Sequence, residues 1–476
     1  MNLESDGWAQ DVFGDCDLED VRRTRRLVRV AQGVLQNPAG RISAVFDSPA
    51  ELAGAYDLIE NDRVAPAKLA SSLTRFALRR AQQLHCPFVW VPTDGTSVTV
   101  TDRTRSKGTG RLSNSSFSAR GDKVHDALLL EPSGIPLGLA AMACWQRPEE
   151  LAKKNHARRD TRDKETQRWL DVRAAIRNTV RAEDPSMVLH FLHDREADAW
   201  PILLDVVEHQ EREFSTIRAQ WDRRLLHDDG TSDEQTHRLR EALANSPIHG
   251  EIELELPAAP NRTPRDALLT VRSCRVTLDL RDRKHGEHRA APLWAVCVQE
   301  KKPRSGEKPL EWLLLTTYAV EDFESCEHVV SGYTYRWRIE EFHQTWKSAG
   351  TDVESTQLRA ADHRARWYLL LAGASAELLR WKLVSRTTPT LAANAVFTEE
   401  QLEAVRDMQA DEVVPEDESA TVWQVWVALA YLGGWPGSKT RPPGVQIVLR
   451  GWLKVCNYMI GMRRRRARKT QAITGN

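Results

Sequence analysis

Residues 331–350 read SGYTYRWRIEEFHQTWKSAG, and their polar side chains recur at helical spacing. Four of them lie three, four and seven positions apart, so they share one face of an α-helix. These four are Tyr333, Arg336, Glu340 and Lys347. The opposite face offers four large apolar side chains that can anchor the helix to a core: Trp337, Ile339, Phe342 and Trp346. The polar face can then line a cleft.

The chemistry of this polar face fits a phosphodiester site. A carboxylate such as Glu340 can hold a metal ion, while an arginine, a lysine and a phenol bind phosphate oxygens. The alternative is an ion-paired surface helix, in which Glu340 pairs with Arg336 four residues earlier. The helix taken alone favours neither interpretation.

Length, composition and charge describe the class of protein. A chain of 476 residues can form two or three domains, and 41% hydrophobic with 28% charged residues is typical of a soluble globular protein. The 67 basic and 67 acidic residues cancel, so DNA binding must rest on local basic clusters. Seven scattered cysteines, an acidic N-terminus and no long apolar run predict a cytoplasmic protein without a membrane span.

Two aspartates follow strand-like runs. Residues 88–101, FVWVPTDGTSVTVT, predict two short strands or one interrupted strand, with Asp94 at the break. Residues 187–200, MVLHFLHDREADAW, predict a buried strand that ends at Asp194. A carboxylate at the end of a strand is well placed to meet a metal ion. Taken alone, Asp94 is more typical of a simple turn and Asp194 of a helix N-cap.

The N-terminal region predicts a small helical domain. A helix is expected within residues 15–35, with Asp17 as its cap. Five arginines fall within eight residues of it: Arg22, Arg23, Arg25, Arg26 and Arg29. They suit contacts with DNA phosphates, and a solvated helix face is an equal alternative.

The second half of the chain is rich in strands and then in helices. Residues 250–316 alternate polar and apolar side chains, which predicts an antiparallel sheet. Residues 423–431 and 445–462 predict amphipathic helices, and residues 463–469, RRRRARK, form a basic tail that either contacts DNA or is solvated.

These motifs together resemble a known enzyme family. The spacing of Tyr333, Arg336, Glu340 and Lys347 resembles the Tyr-Arg-Glu-Lys signature of the DD(E) cut-and-paste transposases of the IS-four family. Residues 194–198, DREAD, resemble the second catalytic motif of that family, and Asp94 matches its first. The resemblance also covers residues 14–31 in the N-terminal region and LGGWPGSK at 432–439.

The resemblance implies an α/β fold. A ribonuclease H-like core, a mixed sheet flanked by helices, would carry an inserted antiparallel β subdomain, with helical domains at both ends. The implied domains are a DNA-binding domain at 1–70, a catalytic domain at 71–375 with a β-rich insertion at about 212–320, and a dimerisation domain at 376–476.

The resemblance also implies roles for individual residues. Asp94, Asp194 and Glu340 would be the catalytic residues and the ligands of two Mg²⁺ or Mn²⁺ ions. Tyr333, Arg336 and Lys347 would bind the phosphate, and Arg218 would lie near the cleaved phosphate. Three arginines of the N-terminal region would also contact DNA: Arg22, Arg23 and Arg26. Trp312 would stack on a flipped base, with a core tryptophan as the alternative.

The function implied by the resemblance is DNA transposition. The protein would bind transposon ends as a homodimer, excise the element through a hairpin intermediate, and join its 3′ ends to target DNA in the bacterial nucleoid. Two alternatives remain open from the sequence. One is a ribonuclease H-like nuclease that cuts without joining, and the other is a non-catalytic DNA-binding regulator derived from a transposase.

Overall fold

The computed structural model describes most of the chain. The described residues are 5–113, 119–147, 164–226, 237–256, 263–282, 286–304, 306–307, 309–409, 413–417, 419–438 and 442–474. Part of the arginine-rich segment 102–123, which the sequence predicts to be a loop, lies outside these ranges. The same holds for most side chains of the basic tail 463–469.

A large mixed sheet forms the centre of the described structure. Its strands are β1 Phe88–Thr99, β2 Gly110–Arg111, β3 Arg120–Leu130, β4 Pro136–Trp145, β5 Val188–His193, β6 Glu213–Arg218, β7 Ile248–Leu256, β8 Arg265–Arg281, β9 His288–Glu300 and β10 Glu311–Thr316. Their order is β2-β3-β1-β5-β6-β10-β9-β8-β7, and β4 pairs with β3. Strands β1, β5 and β6 are parallel, whereas the other pairs are antiparallel. The predicted mixed α/β architecture is confirmed.

The predicted antiparallel strands of the second half extend this sheet. β7 to β10 form an antiparallel meander, and β10 continues it onto the parallel strands by pairing with β6, where Leu314 lies opposite Arg218. The alternation of side chains follows from this arrangement, because one face of β8 packs on a core while the other is more exposed. The sheet therefore places Arg218 in the strand next to β5, the strand that leads to Asp194.

Helices cover the sheet and both ends of the chain. They are α1 Ser5–Phe13, α2 Val21–Gln36, α3 Ile42–Val45, α4 Pro49–Ile59, α5 Pro66–Gln83, α6 Thr166–Glu183, α7 Trp200–Glu208, α8 Leu239–Asn245, α9 Phe323–Tyr335, α10 Arg338–Gln344, α11 Ala361–Thr387, α12 Glu399–Met408, α13 Val422–Leu432 and α14 Val445–Thr474. None of the helices in the described ranges combines the length and the apolar character needed to cross a membrane.

The N-terminal helices pack against α11. The indole N–H of Trp367 donates to the carbonyl oxygen of Gly40 at 2.8 Å, and Arg366 donates to the carbonyls of Val64 and Ile59 at 2.6 and 2.8 Å. One continuous hydrophobic core spans α1 to α5 and α11. The predicted domain boundaries near residues 70 and 375 stay predictions.

The helix that carries the arginines begins later than predicted. Asp20 is the N-cap of α2, because its side chain accepts a hydrogen bond from the N–H of Arg22 at 2.9 Å. The prediction of Asp17 as the cap is wrong, since its carboxylate instead accepts from the N–H of Glu19 in the preceding turn. The apolar face of α2 is buried through Leu27 and Val30 among others.

Candidate active site

The register of two parallel strands brings Asp94 and Asp194 together. Thr93 of β1 lies opposite His193 of β5, and each aspartate is the next residue along its chain. Asp194 also caps the short 3₁₀ turn Arg195–Ala197, accepting from the N–H of Glu196 at 2.9 Å. The two carboxylates are close enough for the charge of Asp194 to raise the pKa of Asp94.

The prediction that β1 breaks at Asp94 is wrong. The strand runs unbroken to Thr99, because β3 stays paired along its other edge, with Asp126 opposite Asp94 and His125 opposite Gly95. The element that ends at this level is the neighbouring strand β5. The backbone of Asp94 is therefore held by β3 on one side. On the other side Asp94 faces the end of β5, where its carboxylate is accessible.

A buried hydrogen-bond chain ties the two strands together one residue before the aspartates. Thr93 Oγ1 lies 2.6 Å from His193 Nδ1, and Arg173 Nη1 lies 2.9 Å from His193 Nε2. Arginine can only donate, so His193 Nε2 accepts and its proton is on Nδ1, which donates to Thr93. Burial and the charge of Arg173 lower the pKa of His193 well below its usual range, consistent with this neutral form.

The helical stretch 331–350 is less regular than the single α-helix predicted. α9 ends at Tyr335, and the next turns tighten through i to i−3 hydrogen bonds from Arg336 to Tyr333 at 3.2 Å and from Glu340 to Trp337 at 3.1 Å. After α10 the chain widens into a π-helical turn at Thr345–Ala349. Such departures from α-helical geometry are frequent at functional sites.

The predicted anchoring face is correct for three of its four residues. Ile339, Phe342 and Trp346 are fully buried. Trp337 is 55% exposed, so its assignment to the core is wrong. The tightened turn explains the difference, because Trp337 falls in the two-residue break between α9 and α10 and turns away from the packed face.

Arg336 connects the carboxylates of Asp94 and Glu340. Its Nη2 donates to Glu340 Oε1 at 2.7 Å, and its Nη1 lies 3.9 Å from Asp94 Oδ2. All three side chains are at least two-thirds buried. The guanidinium thereby compensates the negative charge of the cluster, and it would have to give up these contacts when a metal ion or a phosphate approaches.

The carboxyl group of Asp94 is strongly perturbed. Its burial raises its pKa to about 6, the nearby Asp194 adds to that rise, and His343 and Arg336 act against it. Perturbed acids of this kind cluster at functional sites, although structural ion pairs produce them as well. Asp94 therefore titrates near neutrality, and its ionised form is held at a cost.

Tyr333 lies between the carboxylates and two other predicted residues, Arg218 and Trp312. Its phenol lies near Arg336 and Arg218, which act against the rise of its pKa that burial causes. Trp312 of β10 meets the ring of Tyr333 edge to face, with centroids 5.3 Å apart. The structure therefore brings Arg218 and Trp312 to the same place, and the phenol keeps its proton and can donate it to a phosphate oxygen.

Lys347 lies at the far end of the cluster, in the π-helical turn. Burial lowers its pKa, while Glu354, Asp126 and Asp94 act against that shift. The structure thus gathers eight of the predicted residues in one region. They are Asp94, Asp194, Glu340, Tyr333, Arg336, Lys347, Arg218 and Trp312.

The arginines of α2 are not part of this cluster. Arg22 is exposed and pairs with Asp20 at 3.1 Å. Arg23 donates to the carbonyl of Leu18, and the guanidinium of Arg26 lies against Gly54 of α4. Arg22 and Arg26 remain solvent-accessible, as a DNA contact requires.

Two buried histidines, His343 and His125, lie beside the carboxylates. His343 Nε2 lies 2.8 Å from Asp126 Oδ1, and the carboxylate of Asp126 raises the pKa of His343 against the effect of burial. His343 follows Glu340 by three residues on α10, and this spacing could have pointed to it. Neither ring nitrogen of His125, which lies opposite Gly95 on β3, has a hydrogen-bond partner among the described residues.

The carboxylates fit a hard divalent cation in their chemistry. Asp94, Asp194 and Glu340 offer oxygen ligands only. Such ligands favour Mg²⁺ and Mn²⁺, whereas zinc favours nitrogen and sulfur ligands. Among the described residues, however, no three metal-ligating side chains are assembled tightly enough to hold an ion. Glu340 is paired with Arg336 at 2.7 Å in this structure.

Comparison with known proteins identifies the N-terminal region. Residues 5–64 match the family model described as transposase DNA-binding. Among solved structures, a cryo-EM structure of a piggyBac transposase synaptic complex with hairpin DNA aligns over 81% of this chain and 67% of that chain, at 11% sequence identity and a TM-score of 0.33. A TM-score this low does not establish a common fold.

Proposed function

We propose that this chain is a DNA transposase. Residues 5–64 would bind the ends of the element, and the carboxylate cluster would excise it by metal-dependent strand cleavage and join its 3′ ends to target DNA. One observation carries the proposal: Asp94 and Asp194 lie side by side at the end of β5, and Arg336 links Asp94 to Glu340. The match of residues 5–64 to a transposase DNA-binding model supports the same function.

The finer assignment is a DD(E) transposase of the IS-four family with a ribonuclease H-like core, similar to the transposase of transposon Tn-five. The topology supports it. Three parallel strands, β1, β5 and β6, carry the antiparallel pair β3 and β4 at one edge. Two aspartates at neighbouring strand positions and a glutamate on a helix are the arrangement that the family resemblance implies.

The residues of the cluster divide the chemistry between them. Asp94, Asp194 and Glu340 would hold two Mg²⁺ or Mn²⁺ ions, which activate the attacking oxygen and stabilise the leaving 3′-oxygen when bound. Tyr333, Arg336 and Lys347 would bind the non-bridging oxygens of the scissile phosphate and offset its developing charge. Arg218 reaches the same phosphate from β6, and Trp312 would stack on a base displaced during hairpin formation.

The expected partner is double-stranded DNA, bound by a homodimer in which each subunit cleaves the end held by the other. A nuclease that cuts without joining would use the same carboxylates and need no such synapsis. A regulator without catalysis would use only the DNA-binding helices and the C-terminal dimer surface. Cleavage and joining assays separate the three.

The experiment uses purified protein, Mg²⁺ and linear DNA that carries the element's own ends, analysed on a denaturing gel. Glu340→Gln is compared with Glu341→Gln, a matched change at the next residue. Glu341 is held by Arg338 at 2.6 Å and by Lys382 at 2.8 Å, outside the carboxylate cluster. Thermal melting of both variants shows whether each is folded.

We expect hairpin-ended or excised fragments from the wild type and from Glu341→Gln, and none from Glu340→Gln. Joined products with target DNA identify a transposase, whereas cleavage without joining identifies the nuclease. Binding of the ends without any cleavage, in Mg²⁺ and in Mn²⁺, would contradict the proposal in favour of the regulator.

A further inference from the structure

Only two tryptophans of the chain are exposed, and both lie beside the candidate active site. All sixteen tryptophans fall in the described ranges, and the exposed ones are Trp221 at 59% and Trp337 at 55%. Trp337 follows Arg336, which contacts two of the carboxylates. Trp221 lies in the loop after β6, three residues beyond Arg218. The side chain of Trp221 is therefore accessible to a partner outside the chain.

The loop that presents Trp221 is fixed to the turn that begins at Asp194. The backbone N–H groups of Gln220 and Trp221 donate to Asp198 Oδ2 at 2.7 and 3.0 Å. Arg223 donates to Asp198 Oδ1 at 2.6 Å and to its carbonyl oxygen at 2.7 Å. The side chain of Asp198 is fully buried. Asp198 thus holds the backbone of Trp221 at a set position relative to Asp194.

Both ends of this loop are also anchored in the sheet. The N–H of Ala219 donates to the carbonyl of Leu313 on β10 at 2.7 Å, and the N–H of Leu226 donates to the carbonyl of Thr277 on β8 at 2.8 Å. The indole of Trp221, by contrast, has no hydrogen bond or ring contact with any described residue. A rigid backbone that holds a large aromatic side chain in water is the arrangement expected of a binding residue, because little entropy is lost on contact.

Exposed arginines lie on the described segments next to Trp221. Arg195, on the turn after Asp194, and Arg224 and Arg238, paired by a β-bridge, are exposed. The acidic side chain closest in sequence, Asp222, is occupied by the N–H of Arg240 at 2.9 Å. A protein partner would need a wider apolar patch, whereas one aromatic ring among arginines suits a nucleic acid.

We propose that Trp221 stacks on an unpaired DNA base held beside the carboxylates. Its stacking surface would capture a base, while the neighbouring arginines contact the backbone phosphates. This inference rests on the proposed function and adds to it a second aromatic contact besides Trp312. Stacking of this kind tolerates any base, because every base has a π-face.

The test uses DNA probes that need no knowledge of the element's ends. A duplex with a short mismatched bubble containing 2-aminopurine is compared with the same duplex fully paired, in EDTA so that no cleavage occurs. The variants are Trp221→Leu, which removes the aromatic ring, and Trp221→Phe, which keeps one. Tyr431→Leu changes another exposed aromatic residue, on α13, and serves as the control.

We expect wild type and Tyr431→Leu to bind the bubble more tightly than the duplex and to quench 2-aminopurine. Trp221→Leu should bind the bubble roughly 10-fold more weakly and lose the quenching, while Trp221→Phe keeps most of both. The salt dependence of bubble binding should be the same for Trp221→Leu as for the wild type, because the change removes no charge.

Unchanged bubble affinity and quenching in Trp221→Leu would overturn the inference. So would a wild type that does not prefer the bubble. In either case the proposed function would still stand if Glu340→Gln abolishes cleavage of the terminal DNA. A wild type that neither binds nor cleaves DNA would overturn both.

Discussion

His343 Nε2 lies 2.8 Å from Asp126 Oδ1, joining the helix that carries Glu340 to the strand beside Asp94. Asp126 is directly opposite Asp94 in the sheet, so their side chains are on one face and close together. Two carboxylates at such positions repel each other unless a positive group lies between them. His343 lies in this position; burial lowers its pKa, and Asp126 and then Asp94 outweigh that effect and raise it.

Removal of His343 should destabilise the protein, and a second change should restore part of the loss. His343→Gln leaves the carboxylate of Asp126 buried without a cation, which we expect to cost about 3 kcal/mol of unfolding free energy. The double variant Asp126→Asn/His343→Gln should be more stable than His343→Gln, because it buries no charge. Urea denaturation measures both. His209→Gln is the control, since His209 is half-exposed, Asp205 keeps its pairs with Arg173 and Arg177, and the contact should be worth under about 0.5 kcal/mol. If the losses of unfolding free energy from Asp126→Asn and His343→Gln simply add in the double variant, the two residues are not coupled.

Asp94→Asn should stabilise the protein above neutrality and not in acid. Burial raises the pKa of Asp94 from 3.8 to about 6 in the folded state. The folded state therefore binds more protons than the unfolded state between these values, and stability falls as the pH rises through that window. The full penalty, present above pH 6, is up to about 3 kcal/mol. Urea denaturation from pH 4 to pH 8 should show a gain for Asp94→Asn that vanishes at the acidic end. A gain that does not depend on pH would contradict the assignment of the effect to the raised pKa of Asp94.

Tyr333→Phe should slow cleavage without weakening DNA binding. The change removes the hydroxyl near Arg218 and Arg336 and keeps the ring that packs edge to face on Trp312. Loss of one donor to a developing negative charge costs roughly 100-fold in rate. Single-turnover cleavage and filter binding of the same terminal DNA separate the two effects. Tyr335→Phe, two residues along the same helix, should retain the wild-type rate, and an equal loss in both variants would assign Tyr333 to packing.

Arg22→Ala combined with Arg26→Ala should weaken end binding and flatten its salt dependence. Each lost phosphate contact lowers the slope of log affinity against log salt by about 0.9. The pair should therefore reduce the slope by about 2 in anisotropy titrations. Arg289→Ala, an exposed arginine on β9, is the matched control. An unchanged slope in the double variant would assign these arginines to a solvated helix face.

The resemblance and the strand patterns predicted much of the described site. Hydrophobic runs ending in an aspartate located Asp94 and Asp194, and alternation located β7 to β10. These signals are local, because helix and strand preferences act over a few neighbouring residues. The same local rules failed where packing overrides them. The regular spacing of 331–350 predicted a buried Trp337, yet the chain tightens at that residue and exposes it.

What the sequence determined by itself is the set of elements and the spacing of chemical groups along them. The spacing of Tyr333, Arg336, Glu340 and Lys347 can be recognised from the sequence alone. So can the match of residues 5–64 to the transposase DNA-binding family model. Only the tertiary structure decided which groups meet across the chain. Thr93 meets His193 100 residues away, and His343 meets Asp126 217 residues away. Such pairs depend on sheet register and on the docking of helices, which many weak contacts set together and no short stretch of sequence specifies.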